Sequence, residues 1–305
     1  MPPAGARAHR ATLPAVSATS EVPSGFKSSA TRPGSIGLIR EGVSETLSRR
    51  RLISYLFRAD LKKDGADTFL GNLWWIIDPL LQMLVYYILV GVILGRGKPG
   101  EDYPLFIFTA ILPWKWFTEC VQGGVNSVVS GQQLIKQIYF PKLVLPLASA
   151  ASSTVSFAFG IIPLIGLMLV AFPGRITWWL LLIPVVAVVQ GAFSLGIAIA
   201  VSAINVFYRD VGNVTRHALR FWFYLSPSLY SLDDVQKIAR GNELVLFWYK
   251  INPFSHILSS YRNVIYYGTA PDWGGLAAVF GVSMVLLALA ILLFKRAEPQ
   301  FAKVL

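Results

Sequence analysis

The stretch WGGLAAVFGVSMVLLALAILLF, residues 273–294, carries no charged residue and is bounded by Asp272 on one side and Lys295-Arg296 on the other. A helix needs about 20 largely apolar residues to cross a hydrocarbon core of about 30 Å. This stretch meets that requirement in length and in composition. In lipid a backbone must satisfy its own hydrogen bonds, so the segment reads as a membrane-spanning α-helix.

Working outward, five more segments have the same character, at residues 74–94, 104–129, 144–172, 178–204 and 214–230. The last is short and begins with Arg216, His217 and Arg220. Composition agrees: of the 305 residues, 54% are hydrophobic and only 14% are charged, against about 25% charged in soluble domains. The expected fold class is an all-α integral membrane protein with six spans. Residues 1–40, rich in Ala, Pro, Ser, Thr and Gly, read as a disordered tail. Residues 41–305 read as one membrane domain.

The net charge of +11 could suggest nucleic acid, but its placement argues otherwise. Much of the excess precedes the first span, at Arg7, Arg10, Lys27, Arg32, Arg40, Arg49, Arg50, Arg51, Arg58, Lys62 and Lys63. Basic residues in such a place report topology and contact with anionic lipid. With the loop lysines and arginines counted, both termini are expected on the cytoplasmic side. Residues 44–62 read as a basic amphipathic helix at the membrane surface, with Leu47, Leu52, Tyr55, Leu56 and Phe57 on its apolar side. Its alternative is a solvated helix docked on protein.

Two connections differ from simple loops. Residues 130–142 form a short inside segment with Leu134, Ile135, Ile138 and Tyr139 on an apolar side and a stop at Pro141. Residues 231–272 are too polar and broken to span and too apolar for a free loop. Short helices re-entering the outer leaflet between spans five and six would fit, with a break at Pro253.

Catalytic signatures are missing. The chain has no Gly-x-x-x-x-Gly-Lys-Ser/Thr loop, no Gly-x-Ser-x-Gly elbow and no His-Glu-x-x-His. Its single cysteine, Cys120, excludes an intrachain disulfide, and His9, His217 and His256 show no metal-ligand spacing. Asp233-Asp234 could be a divalent-cation site of a membrane glycosyltransferase, but no acidic partner accompanies it and a helix N-cap explains it as well. Charges within the spans say more, since each costs at least about 2.5–3.5 kcal/mol at a helix centre. Asp78 is expected to pair with Lys115, and Glu119, one turn from Lys115, to reach Arg220. Snorkelling to water is the alternative. Aromatic residues are dense in the second and fifth spans and in the outside segment. They could stack on the apolar faces of sugar rings, or simply pack.

A set of short motifs then falls in order: Leu70-Gly71, Leu112-Pro113-Trp114, Leu134-Ile135-Lys136 with Tyr139-Phe140-Pro141, Asn205-Val206-Phe207-Tyr208-Arg209-Asp210, Leu225-Ser226-Pro227, Asn252-Pro253 and Tyr261-Arg262. From about residue 45 to 305 the chain resembles the permease subunit of type-2 ABC exporters of lipid-linked polysaccharide. That group includes O-antigen, capsule, teichoic acid and cell-wall galactan exporters. The resemblance implies a homodimer in the bacterial cytoplasmic membrane with a channel between two copies. Two separate nucleotide-binding subunits would bind ATP and magnesium, so this chain would have no cofactor and no ATP site of its own.

The resemblance also implies residue roles. Gln132, Leu134, Ile135, Lys136, Tyr139, Phe140 and Pro141 would form the coupling helix against the ATPase. Arg49, Arg50, Arg58 and Lys62 would mark the interface helix. Trp74, Trp75, Trp114, Trp116, Phe117, Phe221, Trp222 and Tyr224 would line the channel, and Tyr230, Asn252, Pro253, Tyr261 and Arg262 would form the outer gate. The sequence departs from the family pattern in Lys62-Lys63-Asp64-Gly65-Ala66-Asp67, where a basic stretch with Arg-Tyr is usual, and in the charges at Asp78 and Lys115. Type-2 ABC export of drugs or lipids is the nearest alternative. A membrane-embedded glycosyltransferase lacks its acidic cluster, and a secondary transporter would need inverted repeats that the two halves do not show.

Overall fold

A computed structural model describes residues 34–65, 68–95, 102–231, 234–235, 237 and 242–305. Residues 1–33 of the expected tail and Asp233 lie outside the described residues. Among the described residues the secondary structure is helical, with no strand.

The first two helices are α1 (Ser35–Ser48) and α2 (Arg50–Gly65). They replace the single helix expected over residues 44–62. Arg49, at φ −98° and ψ 25°, leaves the helical conformation and separates them. Helix therefore begins at Ser35, inside the stretch read as tail. The expected apolar face is itself divided: Leu52 and Leu56 pack on the inner core, whereas Leu47 and Tyr55 are exposed. Helix α2 docks on α6 and α1 docks on α11, so this pair rests on protein.

Six further main helices follow among the described residues. They are α3 (Trp74–Tyr86), which runs on as π-turns over Tyr87–Ile93, α4 (Tyr103–Ser130), α6 (Val144–Ala171), α7 (Ile183–Phe207), α8 (Val211–Leu225) and α11 (Trp273–Val304). Short helices lie between them: α5 (Gln132–Gln137), α9 (Glu243–Ile251) and α10 (Pro253–Arg262). Among the described residues, four helical segments are long and apolar enough to cross a membrane, namely Gly71–Ile93, Val144–Ala171, Trp178–Phe207 and Trp273–Val304.

Helix α4 has the length to cross, but it is more polar and lies at the centre, packed on both α6 and α7. The segment expected at residues 214–230 is shorter than a span. Helix α8 stops at Leu225 because Ser226 turns extended before Pro227.

Packing is built in three tiers. Tyr103 to Trp116 of α4, Phe157 to Met168 of α6, Ile183 to Val189 of α7 and Leu276 and Val279 of α11 share one cluster. At the opposite end Val128, Ile135, Phe140, Ile199, Val206, Phe294 and Phe301 form another. The sequence reading assigns this second end to the cytoplasm, and it is called the inner end. Between the two lies an aromatic tier of Trp114, Phe117, Phe193, Phe223 and Phe254.

Candidate functional site

The inner end is organised by the tail of α11. Ile135 and Phe140 are buried and anchor the α5 segment in the core, whereas Tyr139 is 92% exposed. Gln132 and Lys136 both donate to the Leu305 carbonyl oxygen, Lys136 at 2.8 Å. Just past Pro141, the backbone N–H of Lys142 donates to Glu298 Oε1 at 2.7 Å. Lys295 bridges Glu298 (3.1 Å) and Glu45 of α1 (2.8 Å). The α5 segment, α1 and the tail of α11 are therefore tied together. The sequence reading missed Glu45, Lys142, Lys295 and Glu298 because charges beyond a span look like a solvated end. Arg49, Arg50, Arg58 and Lys62 are exposed along α1–α2.

A cavity of about 530 Å³ opens between α3, α4 and α8. Asp78, Gln82 and Tyr86 line it from α3. Lys115, Thr118, Glu119 and Gln122 line it from α4, and Arg216, Arg220, Phe223 and Tyr224 from α8. Lys115 is the electrostatic centre. Its ammonium donates to Asp78 and lies 3.5 Å from Glu119. Glu119 was expected to reach Arg220. Instead it joins Lys115 on its own helix, because residues four apart share one face. Among the described residues no ion pair joins Glu119 to Arg220, although both line the cavity.

The expected channel aromatics divide into two groups. Phe117 and Trp116 are buried, so they do not line a path. Trp116 stacks on Phe157 at 4.4 Å, and Phe117 packs on Phe254 at 4.5 Å. Trp114 is 5% exposed and packs edge-on to Phe254 at 4.6 Å, with one side on the cavity wall. Trp74, Phe221 and Tyr224 are exposed, while Trp75 and Trp222 are half-buried. Phe254 enters the aromatic tier from α10 and covers Trp114 and Phe117, while Phe157 of α6 covers Trp116.

At the outer end, the expected gate residues split in the same way. Asn252 caps α10 by accepting from the Phe254 N–H at 3.1 Å, accepts from Trp222 Nε1 at 3.1 Å and donates to Ser226 Oγ at 3.0 Å. Tyr230 and Tyr249 share a hydrogen bond of 2.6 Å. Tyr261 and Arg262 are buried and hold the corner together, contrary to a gate-lining role. Arg262 donates to the carbonyls of Tyr230 (2.9 Å) and Ser228 (2.7 Å) and stacks on Phe106 at 3.9 Å. Pro253 is the first residue of α10. Asp234 accepts from the N–H and hydroxyl of Ser231, which makes it a local turn residue.

Asp272 caps α11, accepting from the Gly275 N–H at 3.0 Å, and pairs with His256 at 2.8 Å. Burial pushes its carboxyl up, but the Gly275 hydrogen bond and the His256 contact outweigh it, so the group lies below its ordinary range. Asn205, in the Asn-Val-Phe-Tyr-Arg-Asp motif, donates to the Val125 carbonyl (2.9 Å) and accepts from the Gly212 N–H (3.1 Å). One side chain thus locks α4, α7 and α8 together.

Comparison with known proteins places this architecture. The chain is 33% identical over 262 residues to the O-antigen export system permease protein RfbA of Myxococcus xanthus, covering 86% of this chain and 98% of the relative. It is 26% identical to the RfbA of Klebsiella pneumoniae over 83% of this chain and 95% of that protein. The polysialic acid transport protein KpsM of Escherichia coli matches at 18% over 81% and 93% of the two chains. Residues 51–266, from α2 to the end of the outer corner, match the ABC-2 type transporter family, and the chain belongs to that family of membrane transport proteins.

Proposed function

We propose that this chain is the channel-forming permease subunit of an ATP-driven exporter of lipid-linked polysaccharide. The observation that carries the reading is similarity to an O-antigen export permease over 86% of this chain and 98% of that relative. Two copies form a homodimer in the bacterial cytoplasmic membrane with both termini on the cytoplasmic side. Helix α4 joins the four apolar segments as the fifth span, and α8 with residues 226–230 beyond it completes the sixth. The α9–α10 corner re-enters from the outer face, with Tyr230, Asn252 and Pro253 at its gate. Two separate ATPase subunits bind ATP and magnesium at the inner end.

The mechanical contact is the α5 segment. Its buried residues, Ile135 and Phe140, fasten it to the bundle, and exposed Tyr139 and Ile138 are available to a partner. ATP-driven closure of the partner pushes there, and the anchored segment passes the motion to the bundle. Purification of the complex with its ATPase tests this. Tyr139→Ala is expected to keep the fold and to release the ATPase or abolish its stimulation. An ATPase that binds and is stimulated as in wild type places the contact elsewhere. If no nucleotide-binding subunit associates with the wild-type chain, the exporter reading fails.

A further inference from the structure

The cavity between α3, α4 and α8 holds three cations and two carboxylates, and their pairing is lopsided. Lys115 holds both Asp78 and Glu119. Arg216 and Arg220 are exposed on the cavity side of α8, and neither makes an ion pair among the described residues. They lie one helical turn apart, and Tyr224 follows one turn further along the same face. On the opposite wall, Thr118 Oγ1 and Gln122 Nε2 are buried without a hydrogen-bond partner.

Charged side chains at membrane depth face water or a counter-charge. Among the described residues no carboxylate pairs with either arginine. Guanidinium groups are forked donors that match phosphate oxygens, and a pair one turn apart can grip a phosphate or a diphosphate. The Gln122 amide N–H is a further free donor. Tyr224 offers a ring face for the apolar side of a sugar. The volume of about 530 Å³ lies within the usual range of ligand pockets.

We propose that Arg216 and Arg220 bind the phosphate or diphosphate group of a lipid-linked saccharide, and that Tyr224 receives its first sugar. This deepens the export reading and rests on it. The order along α8, arginines first and tyrosine beyond, points the sugar away from the inner end while the lipid stays beside the helix. Lys115 holds Asp78 and Glu119 at the far wall and offsets one of their two charges, and with Arg216 and Arg220 the cavity lining is net positive.

The test uses the full chain with its ATPase partner in phosphatidylcholine nanodiscs, read by tryptophan fluorescence. The probe is a polyprenyl-diphosphate-linked monosaccharide. Wild type is expected to bind it saturably, and R216Q/R220Q to bind at least about tenfold more weakly at an unchanged melting temperature. R216K/R220K, which keeps the charge, is expected to lose less.

Inorganic pyrophosphate and phosphatidylglycerol are competitors, each expected to be at least about tenfold weaker than the probe. Equal competition by pyrophosphate would make this a free-phosphate site, and equal competition by phosphatidylglycerol a general anionic-lipid site; either overturns the proposal. So does undiminished probe binding by R216Q/R220Q. If cells complemented with R216Q/R220Q export polysaccharide as wild type does, the arginine site falls and the exporter stands. If deleting the chain leaves surface polysaccharide intact, the exporter reading itself falls, whatever the arginines bind.

Discussion

Lys115 occupies the middle of a long, buried helix, where an unpaired ammonium is unfavourable. It is held by two carboxylates, one on α3 and one on its own helix. Lys115→Met removes the cation and leaves Asp78 and Glu119 unmatched. Removing one partner of a buried pair costs about 3–5 kcal/mol, and half-exposed Asp78 puts this case at or below the low end. Asp78→Asn/Lys115→Met is expected to recover part of that loss, and a further Glu119→Gln to recover most of the rest. Thermal unfolding in detergent measures it, and a double variant no more stable than Lys115→Met denies the pairing any weight. Asp272 makes a second residue-level prediction. Its carboxyl is depressed in the fold, so its contribution is complete above its unfolded value of about 3.9 and is lost as pH falls through the folded value. The stability difference between wild type and Asp272→Asn should be present at about pH 5 and shrink below about pH 4. A difference that stays constant down to pH 3 would show that the capping carboxylate adds no pH-linked stability.

Helix pairs impose a different constraint, that of distance. A Cβ at Gly124 would stand 2.6 Å from Ala198 Cβ and 3.0 Å from its Cα, so α4 and α7 approach almost backbone to backbone. Small residues at such a crossing let membrane helices pack without a hydrophobic driving force. Gly124→Leu is expected to destabilise the fold by about 1–3 kcal/mol through overpacking, seen as a lower melting temperature and early aggregation on size exclusion. An unchanged melting temperature would mean that the two helices can separate freely. Element boundaries show where sequence reading stops. The apolar spans were legible because hydropathy is a property of each segment alone. The end of α8 was not, because Leu229 and Tyr230 carry the apolar pattern past the Ser226-Pro227 turn that halts the helix. Nor was the break at Arg49, which falls within an unbroken run of three arginines.

For the whole molecule, legibility follows the same rule of local against distant causes. The pairing of Asp78 with Lys115 could be anticipated because intramembrane charges must be matched. The burial of Phe117 and Trp116 could not, since an aromatic run does not say which side of its helix it faces. Phe254, far along the chain, covers Phe117, and Phe157 of α6 covers Trp116. The Glu298 and Lys295 ties were invisible for a similar reason, as their partners Lys142 and Glu45 come from other parts of the chain. Helix α11 has anchors at both ends. Asp272, at its first turn, is bonded to His256 and Ser260 of the outer corner. Its last turns are bonded to the α5 segment and α1. A continuous helix of 32 residues spans about 48 Å at 1.5 Å per residue. Such a helix is a connecting rod. In the exporter proposed above, a shift imposed on the Tyr139 side would travel along α11 to the far corner, so that the two mouths keep in step while the space between them is full of cargo.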